Sequence, residues 1–118
     1  MEIRRVGVVG CGLMGSGIAE ACARGGYAVI VREVSEELLA KGLARVEQSM
    51  QRGVERGKLA SEEARAARAR ITGTTRLDDL AEVDLIVEAV IEHMPLKQEV
   101  FRDLDRRCPP STIFASNT

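Results

Sequence analysis

Twelve residues near the amino end, Val6-Gly7-Val8-Val9-Gly10-Cys11-Gly12-Leu13-Met14-Gly15-Ser16-Gly17, carry the spacing most suggestive of chemistry. Gly10, Gly12 and Gly15 form G-x-G-x-x-G between a short apolar run, Ile3 to Val9, and a segment able to start a helix at Leu13. In that setting each glycine has a separate purpose. Gly10 permits a tight turn out of a strand, Gly12 lets a pyrophosphate approach the backbone, and Gly15 lets the helix sit close to the sheet. The first-turn amides and the positive end of the helix dipole then face an anion. The chemistry expected is dinucleotide binding, with Gly10, Gly12, Leu13, Met14 and Gly15 around the diphosphate.

A second candidate lies 23 residues beyond Gly10. Glu33 follows the apolar run Tyr27 to Val31, where this architecture places the acid that hydrogen-bonds the adenosine ribose. A carboxylate there repels a 2′-phosphate, and Val34 after it is not basic, so NAD is expected rather than NADP.

These residues need a frame, and the rest of the chain supplies one. Leu13 to Arg24 reads as a helix with Met14, Ile18 and Cys22 on its inner stripe, ended by Gly25-Gly26. Ser35 caps a long helix running to Gly57 with Leu39, Leu43, Val46, Met50 and Val54 inward. A shorter helix begins at Ser61. Ile71 to Thr74, Asp84 to Val90 and Thr112 to Ala115 read as strands, with a helical turn over Leu77 to Ala81 and a helix from Pro95 stopped by Pro109-Pro110. Strands alternating with helices require parallel pairing with right-handed crossovers. The expectation is an α/β, Rossmann-type doubly wound parallel sheet, order 3-2-1-4-5, truncated after the fifth strand. Ligands should gather outside the carboxyl ends of strands 1 and 4.

Composition narrows the partners. The chain has 118 residues and a net charge of −1, which argues against nucleic acid or membrane as partner. No apolar run approaches the roughly 20 residues of a membrane span. The three cysteines, Cys11, Cys22 and Cys108, share no metal spacing and read as reduced cytoplasmic thiols. A strand starting almost at the first residue leaves no space for a targeting peptide. Residues 41–76 depart from this neutrality. Nine Lys or Arg (Lys41, Arg45, Arg52, Arg56, Lys58, Arg65, Arg68, Arg70, Arg76) stand against Glu47, Glu55, Glu62 and Glu63, a local charge of +5. Such a run is either a solvated face or a dock for a second polyanion.

Three segments, Val8 to Ala19, Val87 to Glu92 and Ile113 to Thr118, resemble the L-3-hydroxyacyl-CoA dehydrogenases, the bacterial 3-hydroxybutyryl-CoA dehydrogenases above all. The resemblance runs from Ile3 to the last residue. It implies oxidation of an acyl-CoA 3-hydroxyl by NAD, or the reverse reduction. It assigns the Gly10–Gly15 turn to the pyrophosphate and Glu33 to the ribose, in place of the family's commoner Asp. Glu92, Lys97 and Asn117 fall to the cofactor, and Ser49 with Lys58, or secondly Arg56, to coenzyme A. The basic segment then has a polyanion to meet.

The resemblance also implies what residues 1–118 lack. The substrate-binding serine, the catalytic histidine and its orienting glutamate, and a helpful asparagine would all follow Thr118. So would the helical domain through which the parent forms a homodimer. His93, the sole histidine, does not match the catalytic position. No catalytic residue and no metal ligand is therefore assigned, and residues 1–118 are expected to be the N-terminal part of a dinucleotide-binding domain, inactive alone. Two other readings stay open: a stand-alone nucleotide-binding module without catalysis, and a related hydroxyacid dehydrogenase such as an L-gulonate 3-dehydrogenase.

Overall fold

Five short apolar runs become five parallel strands in the computed structural model, which describes residues 3–89, 108 and 112–116. The elements are β1 (Arg5–Val9), α1 (Leu13–Arg24), β2 (Ala28–Arg32), α2 (Glu36–Glu55), α3 (Ser61–Ala69), β3 (Ile71–Thr74), a 3-10 turn (Leu77–Leu80), β4 (Leu85–Glu88) and β5 (Ile113–Ser116). The sheet order is β3-β2-β1-β4-β5, as expected from the alternation. Register brings the strand ends level: Val9 pairs with Arg32 on one side and Glu88 on the other. Glu88 pairs in turn with Ser116. The helix expected from Pro95 lies outside the described residues.

β3 has the expected bounds and the other strands shift by one or two residues, because apolar runs do not mark the ends of the hydrogen-bonded ladder. The side-chain pattern of the strands divides the core in two. Val6, Val8, Val29, Val31 and Ile71 pack under α1, α2 and α3 with Ala19, Ala23, Leu39, Val46 and Met50. On the opposite face Val9, Leu80, Val83 and Ile86 form a smaller cluster. The long helix is well specified: the Ser35 side chain accepts from Leu38 N–H at 3.2 Å, and Glu36 and Glu37 occupy the first turn.

The inner stripe of α1 differs from the expectation. Met14 is 59% exposed, and Ile18 and Cys22 are only partly buried. The buried positions are Gly15, Ser16, Ala19 and Ala23. The reason is distance. A Cβ at Gly15 would overlap the Gly10 carbonyl oxygen, so the helix lies too close to the sheet there for any but small residues; Met14 turns outward, while Ile18 and Cys22 pack against the edge of the core. At its end Gly25 keeps a helical φ and the reversal falls on Gly26, φ 98°.

Glu88 is also unlike its neighbours. It is fully buried at the end of β4, a carboxylate in an otherwise apolar strand.

Candidate dinucleotide-binding site

The mouth of the sheet is built by the turn from Gly10 to Gly12. Gly10 adopts φ 95°, a left-handed value that disfavours any side chain, and its N–H donates to the Arg32 carbonyl at 2.9 Å. That bond ties the turn to the end of β2. Gly12 is different. Its φ is −74°, and a Cβ added there meets nothing within 4 Å. No neighbouring atom requires a glycine at this position. The bare backbone faces open space at the N-terminus of α1, where an anion's approach does need it.

Glu33 is aimed at the same place. Its Oε2 accepts from Cys11 N–H at 2.9 Å, and its Oε1 from Val34 N–H at 2.8 Å. A carboxylate has about four acceptor sites, so each oxygen keeps one for a further donor such as a ribose hydroxyl. Both oxygens are thereby fixed before anything binds. Leu13 (84% exposed), Met14 and Val34 (54% exposed) flank this point, leaving apolar surface beside the bare turn and the anchored acid. The residues present thus fit a dinucleotide: a gap for the diphosphate, an acceptor for the sugar, and apolar walls.

Cys11 fills the back of the turn. It is 1% exposed, and its thiol is pushed up to about 11, first by burial, then by the Glu33 carboxylate, with Arg45 opposing. At neutral pH it is a small apolar plug, not a nucleophile.

The basic segment is not one patch. Arg68 pairs with Glu47 at 2.9 Å and donates to the Ile71 carbonyl; Arg70 donates to the Ala23 carbonyl; Arg76 meets Asp78; Lys41 meets Glu37. Those cations tie elements together or meet a local acid. A coherent set remains on α2 and its C-cap, where Arg45, Ser49, Arg52 and the capping Arg56 recur at helical spacing along one flank. Arg45 begins that flank beside the turn, its Nη1 donating to the Cys11 carbonyl at 3.3 Å. Lys58 lies past the left-handed Gly57 and off this flank, its N–H bonded to the Gly53 carbonyl. A cleft of about 560 Å³ opens at the other end of α1, lined by Arg24, Glu63 and Arg70 among others. Its mixed charge offers no single-sign field for a polyanion.

Glu92, Lys97 and Asn117 lie outside the described residues, as does His93. Two contributors were missed in the sequence: Gly42, whose missing Cβ lets α2 touch Cys11, and Arg45, counted only as charge. A glycine interrupting the apolar stripe of a long helix was the available signal for the first. Among the described residues no cluster of His, Cys, Asp or Glu is arranged to hold a metal.

A parallel sheet in this order, with a bare glycine turn and an acid one strand away, defines a dinucleotide-binding α/β domain. The family described as 3-hydroxyacyl-CoA dehydrogenase, NAD binding domain, matches residues 5–118, and the chain belongs to it. Its cofactor is NAD. Among its relatives is a 3-hydroxybutyryl-CoA dehydrogenase of Mycobacterium tuberculosis, 46% identical over 117 residues, which are 98% of this chain and 41% of that protein. A glyoxysomal fatty acid beta-oxidation multifunctional protein of Brassica napus is 41% identical over 99% of this chain and 16% of its own length. The crystal structure of M. tuberculosis FadB2 superposes with a TM-score of 0.98 at 45% identity, over all of this chain and 42% of that one. (S)-3-hydroxybutyryl-CoA dehydrogenase PaaH1 from Ralstonia eutropha gives 0.95 at 40% identity, over 99% of this chain and 41% of that one. The chain spans between 16% and 41% of the length of these curated relatives.

Proposed function

We propose that this chain is the NAD-binding portion of an oxidoreductase interconverting (S)-3-hydroxyacyl-CoA and 3-oxoacyl-CoA. The nicotinamide, when bound, supplies the carbon that accepts or gives up the hydride. The observation that carries the reading is the pairing of Gly12 with Glu33: a backbone left bare without internal need, beside a carboxylate already held by two amides. In this reading the turn residues Gly10, Gly12, Leu13, Met14 and Gly15 take the diphosphate and Glu33 the ribose. Glu92 serves the nicotinamide half, and Lys97 and Asn117 also meet the cofactor.

Coenzyme A has several phosphates, and the flank of α2 through Ser49 gives them a row of cations. Arg56, seven residues from Ser49, shares that flank, so it is the better partner for Ser49 than Lys58. The serine, histidine, glutamate and asparagine that complete catalysis lie beyond residue 118 in this reading, together with the rest of the cofactor domain and a helical domain that pairs two subunits. The share of each relative that the chain spans supports it. Three free cysteines favour a reducing compartment, and a cytoplasmic location accords with the bacterial relatives. The plant relatives are named glyoxysomal or peroxisomal.

The test is a titration of the chain with NADH, followed by an assay of acetoacetyl-CoA reduction. Binding without turnover is expected. NADH-dependent reduction by residues 1–118 alone would refute the placement of the catalytic groups. Coenzyme A competing where free hydroxy acids do not would favour an acyl-CoA substrate over a small hydroxy acid.

A further inference from the structure

Gly42 stands in the body of α2, where glycine is the least favourable residue after proline. Its absent side chain has a structural use. A Cβ there would overlap Cys11 Sγ and come within 2.5 Å of the Cys11 carbonyl oxygen and 2.6 Å of its Cβ. The helix therefore rests directly on the dinucleotide turn, and Cys11 is the point of contact. That residue is fixed on two further sides, its N–H by Glu33 at 2.9 Å and its carbonyl by Arg45 at 3.3 Å. Arg45 lies three residues beyond Gly42, on the adjoining strip of the same helix.

We propose that Gly42 and Arg45 are positioning residues for the dinucleotide turn. Through Cys11, α2 sets where the backbone of Gly10–Gly15 stands, and hence how well it receives the diphosphate. When contact distances are violated, both partners shift. Leu39, Val46 and Met50 root α2 in the core, and Cys11 belongs to the same cluster, while the turn opens to solvent at Gly12. Part of any displacement made at Gly42 therefore falls on the turn. Arg45 also opens the flank that continues through Ser49, Arg52 and Arg56. A ligand drawing on Arg45 would thus be felt at Cys11. The inference rests on the reading of the turn as the diphosphate site.

The experiment is NADH titration of the 118-residue chain by calorimetry, with thermal denaturation alongside. Gly42→Ala is expected to weaken NADH about tenfold or more, since displacements near 1 Å at a positioned site have large effects. Adding Cys11→Gly removes the Sγ and Cβ overlaps and should recover part of that loss. Arg45→Ala should weaken NADH about threefold, the size of one exposed hydrogen bond, with little change in melting temperature. Arg45→Lys should fall between. A merely structural role would lower the melting temperature of Gly42→Ala without any recovery of affinity in the double variant. NADH affinity in Gly42→Ala equal to that of the unaltered chain would overturn the proposal, as would a double variant no tighter than the single. Should Gly42→Ala fail to fold, Arg45→Ala with unaltered affinity overturns it instead. Failure of the unaltered chain to bind NADH would count against the reading of the turn itself, and is a separate result.

Discussion

The glycine turn and the basic stretch of α2 and α3 sit on neighbouring elements yet are built on opposite terms. At the turn, distances leave little choice: Gly15 excludes any side chain, Gly10 requires a left-handed φ, and Glu33 bridges two backbone amides. Along residues 41–76 most cations are exposed, and Lys41, Arg68, Arg70 and Arg76 each meet a local acid or a carbonyl. The first region is specified by exclusion and directional bonds, the second by charge alone. The first should respond to single-atom changes, the second, apart from Arg45 beside the turn, mainly to reversal of sign.

The largest effect is expected at the crowded side of the turn. Gly15→Val puts side-chain atoms into the Gly10 carbonyl, and should cost about 3 kcal/mol or more of stability, the upper range for overpacking, read by urea denaturation. NADH binding should be lost with it. Glu33→Ala removes an acceptor from two amides and, in the proposed reading, from the ribose. It should weaken NADH by roughly 1.5–3 kcal/mol, about 10- to 100-fold, as for hydrogen bonds to a charged group, with a smaller change for NADPH, both read by calorimetry. A cofactor affinity insensitive to this change would remove Glu33 from the site.

On the basic side, Arg56→Glu should weaken coenzyme A about tenfold in a competition assay at low salt, fading as ionic strength rises. Arg76→Glu, on a different element and paired with Asp78, should leave coenzyme A unchanged. Equal losses from both would mean that the segment acts as a diffuse field and the α2 flank has no special standing.

The smallest effect concerns two exposed carboxylates. Asp84 accepts from the backbone N–H groups of Arg4 and Arg5, both at 3.0 Å, and these bonds hold its carboxyl below the usual range. A lowered folded-state value stabilises at neutral pH, and that contribution disappears as pH falls through it. The urea midpoint of Asp84→Asn should therefore sit below that of the unaltered chain at pH 7 and converge with it in acid. Glu47→Gln, which loses only its surface pair with Arg68, should change stability by under about 0.5 kcal/mol.

What was legible in the sequence follows the same division. Strand order, the capped start of α2 and the approach of Glu33 to the glycine turn were readable because each depends on local pattern plus topology. The inner stripe of α1 was misread at Met14, since periodicity marks a face without telling how close the next layer lies. Gly15 held that information, but only its role toward the sheet was used. The contact behind Gly42 was hidden for a related reason: a glycine in the stripe of a long helix signals a close approach, but its partner, Cys11, is 31 positions away in the chain and only packing brings them together. The basic run showed the limit of counting charge, which does not distinguish Arg70, turned to a carbonyl, from Arg56 on the open flank. Buried Glu88 was hidden inside an apolar run.

The claim beneath the rest is that the protein keeps Gly12 bare for its ligand and not for itself. Gly12→Ala tests it in a single paired measurement, NADH titration with thermal denaturation of the same sample. The account predicts a melting temperature changed by only a few degrees, because the added methyl meets nothing within 4 Å and a lost N-cap preference opposes the entropy gained from Gly→Ala, together with NADH binding weakened by about tenfold or more. Unaltered NADH affinity in that variant would contradict it.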